Sequence, residues 1–125
     1  LVDGSSVSWS DLDGEITVVN FWSPDCQPCR DELPDLQRVW ESYQDRGVTL
    51  LGVSLPNLEP AVKETISEFG LTYPMALNAV APVKYGITAV PETFVIDADG
   101  EVAYVHIGPV SGDELRQELD TLLAQ

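Results

Sequence analysis

Apolar positions along this chain change period repeatedly, and each change marks an element. Ile16-Thr17-Val18-Val19-Asn20-Phe21-Trp22 is an almost unbroken apolar run that predicts a buried strand over roughly 15–22. Val7 and Trp9 alternate ahead of it, and the turn residues Asp11-Leu12-Asp13-Gly14 follow, which predicts a short N-terminal strand and turn. Then Leu33, Leu36, Val39, Trp40 and Tyr43 fall at helical spacing, predicting a helix from about Asp25 to Gln44. Pro28 sits in its first turn, where a missing N–H costs nothing, whereas Pro34 lies deeper and is expected to kink it.

Gly47 stops that helix and Val48 to Val53 reads as a second buried strand. Beyond the Pro-bounded loop Leu55 to Pro60, the stripe Val62, Ile66 and Phe69 predicts a helix over about 60–69, ended by Gly70. A short strand is expected at Tyr73 to Leu77 and a helical turn at Ala81 to Tyr85. Phe94-Val95-Ile96 and Val102-Ala103-Tyr104-Val105 flank Asp97-Ala98-Asp99-Gly100, a hairpin signal that predicts antiparallel pairing. Ser111 and Glu114 have capping-box spacing and open a last helix with Leu115, Leu119, Leu122 and Leu123 on one face. The expected order, β-β-α-β-α-(β)-β-β-α, gives an α/β fold: one domain over residues 1–125, a mixed sheet flanked by helices, with a short N-terminal β extension.

Size agrees with one domain, since 125 residues that are 44% hydrophobic can bury a real core but not two. The 21 acids and 6 bases give a formal charge of −15, spread along the chain. Such a surface repels nucleic acid and anionic membranes, and otherwise indicates solubility more than chemistry. No apolar run approaches the roughly 20 residues that cross a bilayer. A chain beginning at Leu1 fits the expectation that a leader or anchor preceded it.

Chemistry concentrates at Cys26-Gln27-Pro28-Cys29, which holds both cysteines of the chain and follows the first buried strand directly. A helix N-terminus leaves N–H groups unpaired and carries partial positive charge, so sulfur placed there is favoured as thiolate, the form that attacks disulfides. A bridge over two intervening residues removes little unfolded-state entropy, which makes it a poor staple and a good redox couple. A structural zinc site needs about four protein ligands, and two cysteines plus the distant His106 fall short. The expectation is a thiol–disulfide oxidoreductase with no metal and no cofactor beyond its own disulfide.

Three pieces in order resemble the TlpA/ResA-like branch of thioredoxin-fold thiol–disulfide oxidoreductases. They are Val19-Asn20-Phe21-Trp22 before the cysteine motif, Glu32-Leu33-Pro34 after it, and Ala89-Val90-Pro91-Glu92-Thr93-Phe94-Val95-Ile96-Asp97 leading into Gly100. The resemblance implies a cis Pro91 against the cysteine pair, with the backbone of Val90 pairing with a client segment as an added strand. It implies extracytoplasmic work as a reductant of client disulfides, such as those of apocytochrome c or metal-site proteins, fed by an upstream thiol donor or membrane electron carrier. Two departures stand out. Asp25 replaces the aromatic residue common before the first cysteine, and Asn20 replaces the buried acid of cytoplasmic thioredoxin, the second change agreeing with the TlpA/ResA branch.

In this frame Cys26 attacks and Cys29 resolves, with the neutral spacer Gln27-Pro28 leaving the disulfide relatively stable. The Cys26 pKa is expected nearer the thioredoxin-like value of about 7 than the value of about 3.5 known for DsbA, which favours a reductant. Glu32, three residues beyond Cys29, shares its helical face and is a candidate proton partner for the resolving thiol, the alternative being a solvated helix acid of the class of Asp31 and Asp35. Trp22 is a candidate for the substrate side that core packing also explains, as a structural hydrogen bond explains Asn20 and a salt pair with a nearby acid explains Arg30. His106 is expected to face solvent or a sequence neighbour. A monomer is expected. Two other functions use the same thiols: a peroxiredoxin-like peroxidase, for which Ser23 fits the family pattern but Val19 stands where proline should be, and a Cu(I) carrier.

Overall fold

The computed structural model describes residues 14–54, 59–76 and 89–125. The expected N-terminal strand, the loop after Leu55 and the helical turn at 81–85 lie outside these residues. Within them, five strands and three helices alternate: β1 (Ile16–Trp22), α1 (Gln27–Tyr43), β2 (Val48–Ser54), α2 (Glu59–Phe69), β3 (Met75–Ala76), β4 (Glu92–Ile96), β5 (Val102–Ile107) and α3 (Gly112–Leu123). The sheet order is β3-β2-β1-β4-β5, parallel across β1, β2 and β3 and antiparallel from β1 to β4 and β4 to β5. This mixed sheet is the one expected from the pattern of elements, in the thioredoxin-type architecture that the resemblance implies.

All seven residues of β1 are buried, because the strand is central and covered on both faces. The two-residue period divides them: Ile16, Val18 and Trp22 join the large core with Leu33, Leu36 and Val39 of α1 and Leu115 and Leu119 of α3, while Val19 and Phe21 join Leu51, Val53 and Ile96 opposite. Asn20 occupies the helix-facing register between Val18 and Trp22, which aims its amide at α1.

α1 is a single helix of 17 residues that continues across Pro34. Gly47, at φ 77°, lets the chain reverse into β2. Gly52 of β2 is required by space rather than by conformation: a Cβ there would run into the Met75 sulfur and lie 3.2 Å from the Tyr73 ring. Of the run Tyr73 to Leu77, Leu77 lies outside the described residues, and among the described ones Met75 and Ala76 form β3 and pair with β2. The hairpin turns as expected, with Asp97 Oδ1 accepting from the N–H groups of Asp99 and Glu101. Ser111 caps α3, its hydroxyl accepting from the Glu114 N–H at 3.1 Å.

Candidate active site

Both cysteines sit where β1 hands the chain to α1, and they are bonded to each other. Cys26 is the N-cap of α1, in extended conformation, and its Sγ accepts from the Cys29 N–H at 3.2 Å. The backbone N–H of Cys26 donates to the Ser23 carbonyl at 3.1 Å, closing the short turn that leaves β1. Exposure separates the two sulfurs: Cys26 is half-buried and Cys29 wholly buried in the main core. Gln27 and Pro28 are exposed, with Gln27 Nε2 donating to Asp31 Oδ1 at 2.6 Å, and Asp25 is exposed beside Cys26.

Across from the pair, the Val90–Pro91 peptide bond is cis and the Val90 carbonyl oxygen lies 3.7 Å from Cys26 Sγ. Pro91 is buried and its carbonyl accepts from the Gly108 N–H at 2.9 Å, tying this turn to the end of β5. Residues more than sixty positions apart thus meet at one sulfur because β4 pairs directly with β1.

Glu32 departs from the neighbouring acids of α1. Asp31 is exposed and Asp35 half-buried, whereas Glu32 is 5% exposed. Its Oε1 accepts from Asn20 Nδ2 at 2.8 Å and its Oε2 from the Val110 N–H at 3.1 Å. Asn20 donates its second N–H to Thr93 Oγ1 at 3.0 Å, so β1, β4, α1 and the turn before α3 converge on one carboxylate. Burial pushes the Glu32 pKa up, opposed by the two hydrogen bonds. Tyr73, also buried, has its phenol pKa raised by burial first and by the charge of Glu32 second. Glu32 and Pro28 line an open groove of about 440 Å³ together with Val110 and Glu114.

Two expectations change in the fold. Trp22 is fully buried beneath the motif and offers a client no surface, so its place is in the core. His106 does not face solvent or a sequence neighbour: its Nε2 lies 2.8 Å from Glu118 and its Nδ1 3.7 Å from Glu114, both on α3. Arg30 makes the expected salt pair with an acid, Glu68 of α2 at 2.6 Å, and lies over the Phe69 ring at 5.2 Å. Val19, at the position where the peroxidase pattern has proline, is buried inside β1 opposite Phe94. Sequence reading missed Asn20 as the donor to Glu32, and missed Thr93 and Val110 altogether. Only the alternation of β1 could have placed Asn20 on the helix side.

Comparison with known proteins gives a consistent set. The family model described as AhpC/TSA family matches residues 1–105. The thiol-disulfide oxidoreductase ResA of Oceanobacillus iheyensis is 35% identical over 99% of this chain, which spans 66% of that protein's length. Among solved structures, a thiol:disulfide interchange protein of the thioredoxin family from Chlorobium tepidum has a TM-score of 0.89 at 33% identity, covering 98% of this chain and 89% of that one. StoA from Bacillus subtilis has a TM-score of 0.77 at 29% identity, covering 84% and 82%.

Proposed function

The chain belongs to the AhpC/TSA family, and from that premise we propose that it is a thiol–disulfide oxidoreductase of the ResA kind that reduces disulfides in extracytoplasmic client proteins. The observation that carries this reading is the unequal burial of two bonded cysteines at a helix N-terminus, with the Val90 carbonyl beside the more accessible sulfur. The structure holds the oxidised form, which is the state after one turnover.

In the reduced form, the Cys26 thiolate attacks one sulfur of the client disulfide. The client S–S bond breaks, its other sulfur leaves as thiolate and takes a proton, and a mixed disulfide joins client to Cys26. Cys29, deprotonated, then attacks Cys26 Sγ, restoring the Cys26–Cys29 bond and releasing the second client sulfur as a thiol. Two electrons pass to the client, and an upstream thiol donor returns them. The Cys29 N–H and the helix terminus favour thiolate at Cys26. Glu32, three residues beyond Cys29 on the same helical face, takes the Cys29 proton when it is in its carboxylate form. Val90 offers its backbone for strand-like pairing with the client. Apocytochrome c or a metal-site protein as client, and a monomeric, extracytoplasmic enzyme, complete the proposal.

Trapping tests it directly. The Cys29→Ser variant is expected to accumulate a mixed disulfide with a model peptide disulfide at Cys26, released by dithiothreitol, while Cys26→Ser accumulates none. Equal labelling of both variants, or of neither, rules out the assigned order of attack. Equilibration with glutathione buffers tests direction: a potential as oxidising as about −120 mV, the DsbA value, rules out a reductant.

A further inference from the structure

We propose that His106 of β5 and Glu114 and Glu118 of α3 form a binding site for a divalent zinc-type cation, separate from the cysteine pair. One suitable ligand atom from each residue lies within 4.8 Å of the other two. Tetrahedral zinc, with bonds of about 2.0–2.2 Å to imidazole nitrogen and carboxylate oxygen, sets neighbouring ligand atoms about 3.4 Å apart. The adjustment falls on Glu114, whose side chain is 60% exposed, while His106 and Glu118 are held at 17% and 13%. One nitrogen and two carboxylates leave a fourth position for water, the composition of an open zinc site.

Charge points the same way. Two carboxylates stand against one imidazole, Glu118 at 2.8 Å from Nε2 and Glu114 at 3.7 Å from Nδ1, beyond hydrogen-bonding reach. Even a protonated ring supplies one positive charge against two negative ones. Among the described residues, each arginine and lysine is ion-paired with a different acid: Arg30 with Glu68, Arg38 with Asp35, Arg46 with Asp120, Lys63 with Glu59 and Arg116 with Asp113. A dication supplies what this half-buried cluster lacks. Glu114 and Glu118 are four residues apart, so they rise from one face of α3 toward β5.

The position gives the cation a structural consequence. It would clasp the end of β5 to the first two turns of α3, on either side of the turn whose Val110 N–H holds Glu32. Zinc there would fix the segment that orients the buried acid of the cysteine site.

Calorimetric titration of zinc chloride into the oxidised protein, whose sulfurs are bonded to each other and do not compete as thiolates, tests the site. One saturable equivalent is expected, with the dissociation constant raised by more than about tenfold in Glu118→Gln and in Glu114→Gln. Cobalt(II) substitution should add visible absorption of a tetrahedral nitrogen–oxygen site, absent from both variants. His106→Ala should abolish binding, and circular dichroism of each variant verifies the fold. Absence of saturable binding overturns the proposal, as does zinc affinity unchanged in Glu118→Gln and His106→Ala, which would assign the metal to the diffuse acidic surface.

Discussion

Replacing Glu32 with Gln separates the charge of the buried acid from its shape. The carboxylate accepts from Asn20 and from Val110, and Gln can accept from only one of them while turning an NH2 toward the other. An unsatisfied buried donor costs about 1–3 kcal/mol, so the variant starts with a penalty that does not depend on pH. The charge acts oppositely. Because burial raises the Glu32 pKa above its ordinary 4.5, the unfolded chain loses its proton first as pH rises. Stability from the protonated form is complete below about 4.5 and is lost progressively up to the folded pKa, at about 1.4 kcal/mol per unit of elevation. Gln has no such loss. Urea unfolding of the oxidised protein from pH 5 to 9, above the isoelectric point near 4.1, should show the variant gaining on the parent as pH rises and then running parallel. Removing a negative charge from the Cys29 face of α1 should also lower a thiol pKa in the reduced protein. A stability gap independent of pH, or one that moves the other way, refutes the burial cause; superimposed thiol titrations refute the coupling to sulfur.

Two substitutions test the frame around the site. Gly52→Ala drives a methyl group into the Met75 sulfur and toward the Tyr73 ring and should cost about 1–3 kcal/mol by urea midpoint at unchanged m-value; a neutral result means that β3 yields freely. Ser111→Ala removes the cap of α3 and should cost about 1 kcal/mol, with faster amide exchange at Gly112 to Glu114; unchanged exchange there shows that the hydroxyl does not hold the first turn.

What the sequence made legible was local. Cys26 and Cys29 are one helical turn apart, Ser111 lies three residues before Glu114, and Asp97 to Gly100 turns a hairpin by its own side chains, so each signal is complete within a few positions. Glu32 could be singled out from its spacing to Cys29, but its burial could not, because its hydrogen-bond donors stand 12 and 78 residues away. The same distance hid the partners of Arg30 on α2. His106 illustrates the limit from the other side: alternation along β5 allows either face, and only the packing of α3 decides that the ring meets two carboxylates. Trp22 sits beside the motif in sequence, yet the register of β1 turns it into the core rather than toward a client.

That register also explains the order of the proposed reaction. β1 ends at Trp22 with every side chain buried, and the turn through Ser23 lifts Cys26 only as far as the helix cap, half in contact with solvent. One further turn of α1 carries Cys29 down against the same core as Trp22 and Leu33. In the proposed reaction Cys26 is therefore the sulfur a client meets, beside the Val90 carbonyl, which the pairing of β4 with β1 brings to 3.7 Å from it. Cys29 needs no access to the client, since its only target is Cys26, to which the helix already holds it. The proposed asymmetry between attacking and resolving thiols thus follows from a strand that is buried on both faces and a helix that starts one residue after the first sulfur, in the same sense as the thiolate preference that the helix terminus gives Cys26.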